Sequence, residues 1–315
     1  MSFKSIKIKN APEPKILSWG KGEDDFQDIP KIIWMFWQSK KPSIFVNICI
    51  ENLKKRLADY EIRVIDFDNI DEYITNPPKF NDLPLANIAD WIRLYLIKEF
   101  GGYWLDASIL VTDNFKWIEK LKIQYKSEFV GFYSDDCTIN LEYPIVENWF
   151  FGAPKHSKFI TDWFVEYNNC IFSGNRQVYY KDLDASVLQN IWNPSYLLPY
   201  VSVAVIMRRN KDYKLTLIKA GDMGHFYSYN YVFTQPCVIQ NVMLFSKPPQ
   251  IIPKIIKMTS GGRSALDSYL EKGFYNFSSL LFNIIDEKNI DKKLRVNRLL
   301  QFFIKKITRS NIKSI

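Results

Sequence analysis

The chain has 315 residues, enough for one large domain or two small ones. A hydrophobic fraction of 47% and an aromatic fraction of 16% are ample for a buried core, with no fixed-period repeat and no long low-complexity segment. The net charge of +8 favours acidic partners such as nucleotide phosphates or anionic lipid. Before the tail, however, the basic residues do not group as a nucleic-acid binder requires, and no nucleic-acid partner is expected. Cys49, Cys137, Cys170 and Cys237 are scattered and lack the tight spacing of a zinc site. His156 and His225 are too few for a His-rich metal site. The start, from Met1 to Lys7, lacks the apolar centre of a signal peptide. The longest apolar run, about Tyr196 to Met207, is shorter than the ~20 residues that a bilayer span needs. A reducing, cytoplasmic setting is the expectation.

Residues 1–28 are polar, hold Pro12, Pro14 and Gly20, and predict a loose lead-in. Ile29 to Trp37 is a short run of β-branched and aromatic residues that suits a buried strand. Helical spacing follows from Ser43 to Asp59, then the alternation of Tyr60 to Phe67 predicts a second strand, and Asp68 to Ile74 a short helix. Asn81 or Asp82 can cap a helix that begins near Pro84 and stops at Gly101 and Gly102. Tyr103 to Val111 is then a third strand, with further strands at 128–133 and 148–153 and a helix at 157–170. This alternation argues for α/β architecture with a largely parallel sheet, whose ligands bind at the carboxyl ends of the strands. Trp37 and Asp106 both fall at or near such ends.

The stretch from Ala89 to Ser108 concentrates the chemistry. Its helix is apolar nearly all round and should be buried, yet it keeps Asp90 and Arg93. At i, i+3 those two share one face, either as an ion pair or aimed at a polar ligand. Asp106 ends the short aromatic strand Tyr103-Trp104-Leu105 and is followed by the small residues Ala107 and Ser108. A carboxylate placed there can hold a divalent cation that bridges phosphate oxygens.

The pattern Asp90-x-x-Arg93, then Gly101-Gly102-x-Trp104-Leu105-Asp106, resembles the core motif of the capsular polysaccharide synthesis proteins. These group with the glycosyltransferase family 32 sugar transferases, and the pattern is similar to the catalytic core of the large clostridial glucosylating toxins. The resemblance implies a GT-A-type, Rossmann-like open mixed sheet flanked by helices, with a mainly helical C-terminal extension. It implies a nucleotide-sugar donor, a UDP-sugar being expected, and transfer with retention of configuration. It also implies Mn or Mg at Asp106 and Ser108. In the family the motif usually runs on as Asp-x-Asp, whereas here Ser108 stands second, a neutral and weaker ligand. Asp113 and Asp222 are other acids, and spacing selects neither.

By the same resemblance Trp34 or Trp37 would stack on the nucleobase, and Asp66 or Asp68 would meet the ribose. Asn148 would face the donor sugar beside Asp90 and Arg93. Lys257, Thr259 and Ser260, in the basic glycine-rich turn from Lys254 to Arg263, would approach the diphosphate. The expected organisation is a lead-in at 1–28, a GT-A-type glycosyltransferase domain at 29–265 with an acceptor-side insert at about 171–250, and a helical basic tail at 266–315. In that tail Val296, Leu299, Leu300, Phe303 and Ile307 fall on one stripe, so it can lie on anionic membrane at the inner face or pack on the body. The reading is a glycosyltransferase of capsule or cell-surface polysaccharide synthesis, acting on a glycan or lipid-linked glycan. Ser108 supplies the rival, a non-catalytic glycan- or nucleotide-binding protein on a decayed transferase scaffold.

Overall fold

The computed structural model describes residues 6–80, 83–285 and 299–300. Its strands are β1 (Ile16–Trp19), β2 (Ile32–Phe36), β3 (Glu61–Ile65), β4 (Gly102–Leu105), β5 (Ile109–Val111), β6 (Phe129–Tyr133), β7 (Val146–Ala153), β8 (Leu215–Lys219) and β9 (Ile255–Lys257). Its α-helices are α1 (Ile44–Arg56), α2 (Leu85–Phe100), α3 (Lys116–Tyr125), α4 (Lys158–Ile171), α5 (Ala185–Leu188), α6 (Leu198–Arg209), α7 (Phe226–Tyr231), α8 (Pro236–Gln240), α9 (Ser260–Leu270) and α10 (Leu280–Ile284).

Seven strands make one sheet in the order β1-β8-β6-β7-β4-β2-β3, and β5 pairs with β9 apart from it. β2 is parallel to β3 and to β4, and β6 to β8. The pairs β1–β8, β4–β7 and β6–β7 are antiparallel. The sheet is therefore α/β and mixed, and not largely parallel as strand–helix alternation alone suggests. No helix separates β6 from β7, so the chain returns in the opposite direction. β7 then enters between β6 and β4 and reverses both contacts.

Both faces of the sheet are covered, which is why its strands read as continuous apolar runs. Along β2, Trp34 and Phe36 enter the core under α2, α4 and α6. Ile33 and Met35 point the other way, into a core shared with α1 and α3. A third cluster joins Phe45 and Cys49 of α1 to the segments α7 to α10. Among the described residues no helix is long and apolar enough to cross a membrane.

Three expectations change. The lead-in carries β1, which closes the β8 edge and buries Trp19, whose indole donates to the Glu142 carbonyl at 2.7 Å. Alternation over four residues is too short a signal to separate such an edge strand from a loop. The third strand is two, because Asp106 to Ser108 form a turn closed by Ile109 N–H on the Asp106 carbonyl at 3.0 Å. The turn from Thr259 to Arg263 is the start of α9, with the Thr259 hydroxyl accepting from Gly262 N–H at 3.2 Å as N-cap. The proposed caps Asn81 and Asp82 lie outside the described residues, as do residues 286–298 and 301–315 of the tail, Val296, Phe303 and Ile307 among them.

Candidate active site

A cleft of about 680 Å³ opens where β2 and β4 end, against the first half of α2, the start of β7 and the segment from β9 into α9. This is the carboxyl edge of the parallel strands, where open α/β sheets bind ligands. Asp90, Arg93, Asp106, Ser108, Asn148, Lys257, Thr259 and Ser260 all line it. Residues separated by 170 positions in sequence thus meet in one place.

The position of α2 follows from its C-terminus. Gly101 and Gly102 hold φ of 67° and 102°, which β-carbon-bearing residues rarely adopt. A Cβ on Gly102 would lie 2.6 Å from the Ile32 carbonyl oxygen. The pair lets the chain leave the helix and enter β4 directly beside β2. α2 is then pressed against the sheet and α4, with Asp90 and Arg93 buried.

Those two charges are compensated as burial demands. Arg93 Nη2 lies 3.1 Å from Asp90 Oδ1 and 3.2 Å from Asp106 Oδ1. Its Nη1 donates to the Asn148 carbonyl, and its guanidinium sits 5.0 Å from the Trp104 ring centroid. Asn148 Nδ2 donates to Asp90 Oδ1 at 2.9 Å. On Asp106, Trp104 Nε1 donates to Oδ1 at 3.1 Å and Lys257 Nζ to Oδ2 at 2.6 Å. The result is one chain of charge, Asp90–Arg93–Asp106–Lys257. Burial pushes the Asp90 carboxyl up to about 6 despite Arg93. Burial also acts to raise Asp106, but Lys257 and Arg93 outweigh it and hold this carboxyl below its ordinary value.

The metal expectation fares differently. Divalent cations need oxygens free to face them. The buried Ser108 hydroxyl donates to the Met258 carbonyl at 3.0 Å. Both Asp106 oxygens already receive cationic or N–H partners. Asp113 pairs with Lys254 and Asp222 with Lys219, and neither lines the cleft. Among the described residues no three His, Cys, Asp or Glu side chains are grouped to hold a metal. The donor set at Asp106 and Ser108 therefore does not fit the Mn or Mg ion expected there.

Of the two candidate base platforms, Trp37 lines the cleft and Trp34 does not. Trp34 is wholly buried, donates to the Gly101 carbonyl at 2.9 Å and packs on Phe100 and Tyr73. The strand's alternation sends it to the core, while Trp37 lies just past the strand end. Asp66 also lies outside the cleft lining. Its Oδ1 accepts from Asp68 N–H at 2.8 Å and Asn69 N–H at 3.0 Å, closing its own turn. Asp68 pairs with Lys40 at 3.2 Å.

The sequence assigns no role to Arg263, Glu147 or His225, and offers Tyr200 only as one of the insert's aromatic residues that would suit sugar stacking or core packing. Arg263, in the first turn of α9, places its guanidinium 4.8 Å from the Trp37 ring centroid. A Thr-Ser start followed by a cation one turn on was the available signal. Glu147 is buried, accepts from the Tyr200 hydroxyl, and faces His225 Nε2 at 3.6 Å. Tyr200 and His225 both reach the cleft, and nothing in the sequence links three positions so far apart.

The sequence model of the capsular polysaccharide synthesis protein family matches residues 4–180, more than half of the chain. The chain belongs to this family. The match covers the Asp90 to Asp106 core motif and Asn148, and stops before Lys257 and α9. No curated protein matches the chain. Among solved structures, the PaToxG glycosyltransferase is 12% identical over 82% of this chain and 87% of its own, with a TM-score of 0.36. The glycosyltransferase GlyE of Streptococcus pneumoniae TIGR4 is 12% identical over 89% of this chain, with a TM-score of 0.40. This chain spans 64% of GlyE, less than two thirds. A glycosyltransferase involved in glycosylation of the major capsid of PBCV-1 is 10% identical over 59% of this chain and 93% of its own, at 0.30. These likenesses are too distant for any residue role to be carried across.

Proposed function

We propose that this family member is a glycosyltransferase that moves a sugar from a nucleotide diphosphate to a glycan hydroxyl in capsule or cell-surface polysaccharide synthesis. The observation that carries the reading is the single chain Asp90–Arg93–Asp106–Lys257 at the strand-end cleft. Trp37 is the platform for the base, where a stacked ring contributes ~1–3 kcal/mol. Asp90, Arg93 and Asn148 orient the donor sugar. Lys257, Arg263, Thr259 and Ser260 face the diphosphate and stabilise the charge that grows on it as it leaves.

Retention of configuration fits the state of the carboxylates. Asp90 is held by Arg93 and Asn148, and Asp106 by Lys257 and Trp104, so neither is free to attack the anomeric carbon. In the proposed step the bond from the anomeric carbon to the diphosphate oxygen breaks. The acceptor hydroxyl oxygen bonds to that carbon from the same face, and its proton passes to the departing diphosphate. A lipid-linked acceptor and a cytoplasmic position at the inner membrane face belong to the same proposal, supported by the basic composition of residues 288–315.

A thermal-shift panel of nucleotide sugars tests the reading, since a bound donor stabilises the fold by mass action. The expected result is a shift with one donor class, slow hydrolysis of that donor, and loss of hydrolysis in Asp106→Asn. Equal nucleotide release by wild type and Asp106→Asn would overturn the catalytic assignment and favour a binding protein.

A further inference from the structure

We propose that Lys257 stands where a divalent cation would, so that the cleft binds a diphosphate without metal. This rests on the donor-site reading above. The Lys257 ammonium is 2.6 Å from Asp106 Oδ2, and the side chain is only 13% exposed. Its place is built into the backbone. Lys257 pairs with Ile109 across β5–β9, three residues beyond Asp106, and its N–H donates to the Gly224 carbonyl at 2.8 Å. A dication on Asp106 would have to share that carboxylate with an ammonium and a guanidinium, both of like sign.

The charge balance points the same way. The cleft is lined by two carboxylates, Asp90 and Asp106, and by three cationic side chains, Arg93, Lys257 and Arg263. Among the lining side chains one positive charge is left over before any ligand enters, with Asp267, four residues along α9, acting on Arg263 from outside the lining. Asp106 takes one of the three N–H bonds of Lys257, so the ammonium retains donors for an anion. The adjoining first turn of α9 adds the Ser260 hydroxyl and the Arg263 guanidinium on the same side. On this account Asp106 is a positioning residue that aims Lys257, and Ser108 braces the Met258 carbonyl next to it.

The test is isothermal titration of the full chain with inorganic diphosphate, in EDTA and again with Mn²⁺, beside a titration with Mn²⁺ alone. Wild type should bind diphosphate equally in both buffers and should not take up Mn²⁺ alone. Lys257→Met should weaken binding in EDTA by roughly tenfold or more, as loss of a hydrogen bond to a charged group does. It should recover affinity when Mn²⁺ is added, because Asp106 Oδ2 is then vacant. Lys257→Arg should bind in EDTA. Diphosphate binding by wild type that requires Mn²⁺ would overturn the inference and leave the transferase reading standing. No diphosphate binding in either buffer would overturn the donor site itself. The wild-type arms decide the matter even if Lys257→Met fails to fold.

Discussion

Asp90 is the residue at which function opposes stability. Its carboxyl is pushed up from 3.8 to about 6 by burial, so the folded chain holds that proton more tightly than the unfolded one. The sign follows from linkage. The contribution is greatest below pH 3.8 and is lost as pH rises through about 6. At neutral pH the ionised group therefore weighs against the fold. Asp90→Asn removes that cost but leaves Arg93 with Asp106 as its one acidic partner. At pH 8 this variant should melt no lower than wild type while binding donor more weakly. A fall in its melting temperature there would show that Asp90 supports the fold. The donor affinity of wild type should drop as pH falls through about 6, and Asp90→Asn should flatten that profile.

Elements decide where these residues stand. α2 reaches the cleft because it ends abruptly, and it ends at two glycines that no other residue can replace without moving β2 or the Pro154–Lys155 backbone. Gly102→Ala should cost about 1–3 kcal/mol from the disfavoured backbone region alone. The contact with the Ile32 carbonyl adds to that. A denaturant melt checks it, and an unchanged midpoint would mean that the junction is looser than its geometry implies. The double-glycine stop was legible in the sequence because helix termination is a local matter of φ. The turn at Asp106 to Ser108 was not, since apolar residues continue on both sides and only the partner strands, β7 for β4 and β9 for β5, mark where one strand ends and the next begins.

At the scale of the whole molecule, the sheet is closed on one side by a segment that carries no chemistry. β1 caps β8, while Ile8, Ala11 and Trp19 bury apolar surface. Deleting residues 1–24 would expose the β8 edge, which invites pairing with another chain. The truncated protein should elute as aggregate in size-exclusion chromatography even though the whole cleft lies downstream. A monomer with unchanged melting temperature would show that the β8 edge is protected by other means. The site likewise depends on long-range closure: α2 supplies Asp90 and Arg93, the end of β4 supplies Asp106 and β7 supplies Asn148, while β9 and α9 bring Lys257 and Arg263 from more than 100 residues later.

Sequence alone established what depends on neighbours along the chain. The α/β class, the buried helix with Asp90 and Arg93 on one face, the glycine stop, and Asp106 at a strand end all follow from period, propensity and backbone conformation. The motif from Asp90 to Asp106 was enough to place the chain in its family. Only the tertiary structure decided which tryptophan faces the cleft, because a strand's alternation has no absolute phase until both sheet faces are covered. Only it brought Lys257 onto Asp106, made a helix start of the turn from Thr259 to Arg263, and gathered Glu147, Tyr200 and His225. Those contacts join residues tens to hundreds of positions apart, and no periodicity in a single chain encodes which distant charge a buried carboxylate will meet.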